Sequence, residues 1–209
     1  PPRAGVNVLP RPTWWGFVIN QEERRVALRI KSHWNNDEAE RSLPEIASAL
    51  AYIAWRIAVD KAISLHCERF VYRDDAQRLG VIQEYLLFLI QIAGRLAADR
   101  LETEDRRVLI TALARKLIDH VQDNSQDLLG PGDYGSPFIE RLNLRSGEYA
   151  EYQLAPDGPS YPFLRHLGFE IQTLMGEASE NRWVIDQVMD KDGYEAYKTF
   201  AKAFGNLFE

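Results

Sequence analysis

Two consecutive stretches of this chain, 43–70 and 75–101, are helical in pattern and apolar on nearly every side. A surface helix carries one apolar stripe, whereas a helix apolar all round has to be enclosed by other elements. In the first stretch Ile46, Leu50, Ile53 and Ile57 form one stripe. Ala47, Ala51, Ala54 and Ala58 form a second beside it, and Tyr52, Trp55 and Val59 cover the far side. A row of alanines lets a neighbouring helix approach closely. In the second stretch Val81, Tyr85, Leu86, Leu87, Phe88, Leu89, Ile90, Ile92, Ala93, Leu96 and Leu101 cover most of the circumference. Only Glu84, Gln91 and Arg95 line up there as a narrow polar strip.

Further helices are needed to surround these two, and the sequence supplies them. Ser42-Leu43-Pro44-Glu45 is a capping box with proline in the first turn, and it starts the helix over 43–70. Asp74 or Asp75 caps the helix over 75–101. Thr103 caps one over 104–125, whose buried face is Ile110, Leu113, Ala114, Leu117 and Val121. Ser160 starts another, with Phe163, Leu167, Ile171 and Leu174 on one side. Residues 178–190 and 192–207 read as two helices broken at Asp192-Gly193. Val26, Ile30 and Trp34 have period four, which predicts a helix over 20–34. Residues 1–16 read as a proline-rich arm, with Trp14 and Trp15 as its pins.

The expected fold is all-α: an irregular bundle of six or seven helices around the two apolar ones, in a single domain spanning 1–209. Residues 130–161 interrupt the pattern. Gly130-Pro131-Gly132, Gly135-Ser136-Pro137 and Pro156-Asp157-Gly158-Pro159 are turn signals. They predict a loop-rich insertion. A small hairpin is compatible with Leu142-Asn143-Leu144 and Glu148 to Tyr152 flanking Ser146-Gly147.

With 209 residues, 45% of them hydrophobic and 27% charged, the chain has an ordinary globular mix. At this length it needs neither disulfides nor a structural metal to hold a core. The net charge of −6 and the pI near 5.4 argue against DNA as a partner. Cys67 is the only cysteine, which excludes an intramolecular disulfide and fits a reducing cytoplasm. Its apolar neighbours predict an inert core thiol. No run of about 18 uncharged apolar residues occurs, so no membrane span is expected.

Catalytic patterns are scarce. None of His33, His66, His120 and His166 belongs to a Glu-x-x-His or HExxH motif. His166 and Glu170 stand one helical turn apart and could share a ligand, but an exposed i,i+4 pair is the plainer reading. No metal and no cofactor is expected. Nucleophile elbow and phosphate-loop motifs are absent from the sequence. Arg115-Lys116-Leu117-Ile118-Asp119-His120, an arginine and a histidine five residues apart on a late helix, resembles the motif of HEPN-type ribonucleases. The resemblance covers six residues. It implies a metal-independent cleavage in which Arg115 steadies charge and His120 transfers a proton. On a regular helix, however, five residues turn the two side chains roughly 140° apart.

Three polar or aromatic sets remain. Glu84, Gln91 and Arg95 form either a structural polar strip, facing solvent or ion-paired, or the lining of a small pocket between helices. Tyr194, Tyr197, Phe200, Phe204 and Phe208 have helical spacing, which suits docking onto the core or a groove-binding stripe. Tyr134, Glu148, Tyr149, Glu151 and Tyr152 put tyrosines beside acids in the turn-rich segment, which suits a protein partner carrying basic groups. The function expected from the sequence is a cytoplasmic, non-enzymatic helical interaction or regulatory protein that binds another protein, with homo-oligomerisation left open. The alternative is a ribonuclease acting through Arg115 and His120.

Overall fold

Short local side-chain bonds mark the starts of the two apolar helices. At the first, the backbone N–H of Ser42 donates to Oε2 of Glu45 at 2.9 Å, and the Ser42 hydroxyl donates to the same oxygen at 2.7 Å. In a computed structural model of the chain, residues 42–209 are described, apart from residue 177. They belong to one unit, Arg41–Glu209. The arm over 1–16 and the helix over 20–34 lie outside the described residues.

The order is α1 (Leu43–Cys67), α2 (Asp75–Ala98), α3 (Thr103–Leu129), α4 (Gly135–Tyr149), β1 (Leu154–Ala155), β2 (Gly158–Pro159), α5 (Tyr161–Met175), a 3-10 turn (Ser179–Asn181), α6 (Val184–Gln187), a π turn (Val188–Asp192) and α7 (Gly193–Leu207). Asp74 caps α2 by accepting from the N–H of Gln77 at 2.7 Å. The N-cap of α3 is Glu102, with Thr103 already helical. The fold is all-α with one very small antiparallel hairpin, in which Leu154 faces Pro159 and Ala155 faces Gly158.

The centre of the bundle is α2, packed on by α1, α3, α4, α5 and α7. Tyr85, Leu86, Leu87, Phe88 and Leu89 are five consecutive residues with no exposure, as expected of a helix enclosed on all sides. By length and composition α2 could cross a membrane, but 67% of its most apolar stretch is buried within the bundle.

The first helix is less enclosed than its pattern predicts. Its alanines Ala47, Ala51, Ala54 and Ala58 are completely buried, and α1 packs most extensively on α3, as a row of small residues permits. Its far side faces outward: Tyr52 is 51% exposed and Ile53 only half-buried. Cys67, at the last position of α1, is exposed, so the expected core thiol is corrected. The helix carries its C-terminus past the apolar packing that Leu65 still enjoys.

Two other expectations are corrected. Residues 135–149 form a helix, neither a loop nor a hairpin. Pro137 lies in its first turn, where a missing N–H costs nothing. Phe138, Arg145 and Tyr149 are buried and Leu142 partly so, at the i, i+4, i+7, i+11 spacing of one helical face. The break expected at Asp192-Gly193 is a continuous π-to-α junction, with Asp192 at φ −67 and ψ −39. Gly193 serves close packing there: a Cβ on it would meet the Val188 carbonyl oxygen at 2.9 Å.

Candidate functional site

The polar strip of α2 faces α4. Its three residues meet the second half of that helix and the residues just after it. Arg145 donates from Nε to Oε2 of Glu84 at 2.9 Å and from Nη2 to Oε1 at 3.2 Å. Gln91 Nε2 donates to the Ser146 hydroxyl at 2.9 Å. Arg95 donates to the carbonyls of Tyr149, the last residue of α4, and of Tyr152, the latter at 3.0 Å. Its guanidinium also lies 4.8 Å from the centroid of the Phe163 ring. Burial lowers the pKa of Arg95. These contacts make the strip the seam between α2 and α4, the ion-pair option of the two the sequence left open.

Arg145 is the hub. From Nη1 it donates to Oε2 of Glu148 at 2.7 Å, and from Nη2 also to Oε2 of Glu170 on α5. Arg141, about a third exposed, stands 3.8 Å from Glu84. His166 on α5 places Nε2 3.1 Å from Oε2 of Glu148. Burial works against the charge on Arg145, but the hydrogen bonds and charges of Glu84, Glu148 and Glu170 outweigh it and hold its pKa above the usual value. For Glu170 the balance is reversed: burial raises its pKa, and Arg145 only partly offsets that. One oxygen each of Glu148 and Glu170 and one ring nitrogen of His166 lie within 4.8 Å of one another, a spacing at which they could hold a metal ion.

Tyr149 closes the cluster from inside. It has no exposure, its ring stands edge-on to His166 at 4.7 Å, and its hydroxyl has no partner among the described residues. Burial pushes its pKa well up; Glu84 is the next cause, and Arg145, Glu170 and Glu148 also act on it. Tyr149 therefore cannot meet a partner, which corrects its assignment to a binding surface. Tyr134 and Tyr152 are half-buried, Glu148 is partly spent on Arg145, and Glu151 alone of that set is exposed.

A second buried charge group joins α1 to the π turn. Lys61 donates to Glu195 Oε2 at 2.5 Å and lies 3.5 Å from Asp192 Oδ1. Asp192 is fully buried and also accepts from Ser64 (3.2 Å) and Gln187 (3.2 Å); burial raises its pKa. Lys61 and Glu195, with Ile57, Asp60, Lys198 and Thr199, line an open cleft of about 400 Å³. The sequence reading missed this group. Its signal was Lys61 standing at an apolar position of the Ala54, Ala58, Lys61, Leu65 face.

The outer face of α3 carries Asp119, Asp123 and Asp127, exposed, four residues apart and without an ion pair among the described residues. The Gln122 side chain holds the following loop back against this end of the helix. It donates to the Gly132 carbonyl at 2.8 Å and accepts from the N–H groups of Tyr134 and Gly135. The same helix carries Arg115 and His120. Arg115 is exposed, whereas His120 is half-buried with its ring 5.8 Å from that of Trp55, and burial lowers its pKa. The two point to different surroundings, and no hydrogen bond connects them. The aromatic set of α7 also divides: Phe200 and Phe204 enter the core, while Tyr194 is 38% exposed beside Tyr197, Lys198 and Lys202.

In comparisons with family models, curated proteins and solved structures, the chain matches none.

Proposed function

We propose that this protein is a non-enzymatic helical interaction or regulatory protein whose acidic α3 face receives a basic protein partner. The observation that carries the reading is the row Asp119, Asp123 and Asp127. These carboxylates are exposed and unpaired among the described residues, and they run toward a helix C-terminus. Asp127 lies in the last turn, where the macrodipole already places partial negative charge, and carboxylates four residues apart repel one another along the row. A row that costs stability in the free protein gains when a cation covers it. Nucleic acid is a poor occupant, since its phosphates would be repelled.

The test is fluorescence anisotropy with a labelled arginine-rich peptide at low and moderate salt. Binding is expected to weaken as salt rises and to be lost when all three aspartates become asparagine. Equal binding by that variant, or none by the wild-type chain, overturns the reading.

A further inference from the structure

Around Arg145 the negative charges outnumber the positive ones. Glu84, Glu148 and Glu170 share one guanidinium, a balance of −3 + 1 = −2, or −1 if Arg141 at 3.8 Å is included. Arg145 gives Glu84 two of its hydrogen bonds and gives Glu148 and Glu170 one each, both to Oε2. The Oε1 atoms of Glu148 and Glu170 have no partner among the described residues. His166 stands beside the two carboxylates, and Tyr149, a side chain with no exposure packed edge-on to the His166 ring, has an unpartnered hydroxyl. A buried hydroxyl in such a place calls for an acceptor or a bound water.

We propose that Glu148, His166 and Glu170 form a site for a divalent first-row metal ion of the zinc type. One imidazole and two carboxylates suit such an ion better than magnesium or calcium, which prefer all-oxygen cages. Three protein ligands leave room for water, and Glu148, a third exposed, gives the ion a way in. Arg145 stays on the Oε2 atoms and orients both carboxylates, as outer hydrogen bonds do around metal ligands. The ion supplies the missing positive charge. Tyr149 supplies a hydrogen bond to a carboxylate or to water on the ion.

The experiment uses the full chain after chelator treatment, titrated with Zn2+ by calorimetry and with Co2+ by visible absorption. One ion per chain is expected, with Co2+ bands that Zn2+ abolishes and Mg2+ does not. Glu148→Gln and His166→Gln should each weaken binding about tenfold or more, while Glu151→Gln, an exposed neighbour, leaves it unchanged. No stoichiometric binding, or binding that survives both substitutions, overturns the proposal. If either variant loses its helical circular dichroism, the imidazole NMR signals of the wild-type chain decide. Zn2+ should then shift the ring of His166, identified by its edge-on contact with Tyr149. A shift confined to a ring without such a contact overturns the proposal as well.

Discussion

Glu84 and Arg145 are 61 residues apart in the chain and meet through two hydrogen bonds, at 2.9 and 3.2 Å. Their side chains are 1% and 8% exposed, so the pair is buried. It joins α2 to α4, and through Glu170 it reaches α5.

Removing one member of a buried pair strands the other charge, at a cost of about 3–5 kcal/mol. Glu84→Ala should cost less than that, because Arg145 keeps Glu148 and Glu170 as partners. Arg145→Ala should cost more, because it leaves three carboxylates facing one another. Replacing both Glu84 and Arg145 by methionine should lose less than Arg145→Ala alone, since Glu84 is then not stranded and only Glu148 and Glu170 lose their guanidinium. Urea melts measure all three. A single loss below about 1 kcal/mol would mean that water reaches the pair.

Asp192 gives a pH dependence of unusual sign. Burial raises its folded pKa above the ordinary 3.8, despite Gln187, Lys61 and Ser64. The folded chain therefore holds this proton more tightly than the unfolded one. The contribution of Asp192 to stability falls as pH rises from about 3.8 through the raised value. Asp192→Asn lacks that loss. Its stability relative to wild type should increase as pH is raised through this window, read from denaturant melts at stepped pH. A relative stability that decreases instead would show that Lys61 dominates the site.

Glycines separate by what a methyl group would meet. At Gly168 an added Cβ lies 3.1 Å from the Ile185 carbonyl oxygen, and at Gly193 2.9 Å from that of Val188. Backbone cannot move aside cheaply, so Gly168→Ala and Gly193→Ala should each cost roughly 1–3 kcal/mol. Gly94 lies within α2 and meets nothing within 4 Å. Gly94→Ala should stabilise by about 0.5–1 kcal/mol through helix propensity. Thermal melts of the three variants check the ordering.

These elements show what the sequence could convey. Helices α1, α2, α3 and α5 were legible because their apolar residues recur at helical spacing, and in α1 and α2 because their caps are local. Helix α4 was not. Its face Phe138, Leu142, Arg145, Tyr149 has helical spacing, but an arginine fills an apolar position, and Gly135, Pro137 and Gly147 read as turn punctuation. Lys61 in α1 breaks its stripe in the same way. Glu84 was legible because it stands in a helix that is otherwise mostly apolar. The partners Arg145 and Asp192 went unseen because pairing across 61 or more residues leaves no periodic trace. A charge at a buried-face position was the available signal for both ion groups.

Exposure of Cys67 has a direct consequence. A thiol reagent should label the native chain at a rate near that of a small free thiol, with no need for unfolding. Labelling that appears only in denaturant would return Cys67 to the core.

The last prediction concerns the two ends of α3. Its first turn carries Glu104 and Asp105, where carboxylates complement the helix dipole; its last turn has no basic residue and carries Asp127 instead. One helix thus has acids at both ends, favourable at one and unfavourable at the other. Asp127→Asn should raise the unfolding midpoint slightly, and Asp127→Lys should raise it further, by roughly 0.3–1 kcal/mol in stability. Glu104→Gln should lower it, since it removes both the dipole contact and the Arg107 pair. Added salt should shrink all three differences, because charges this exposed are screened over about 10 Å at 0.1 M. The same Asp127→Lys change should weaken binding of the arginine-rich peptide. Stability and binding then move in opposite directions on one substitution, as expected of a residue kept for a partner at the fold's expense. If Asp127→Lys instead lowers stability, the carboxylate is part of the fold's own support, and the acidic face no longer argues for a basic partner.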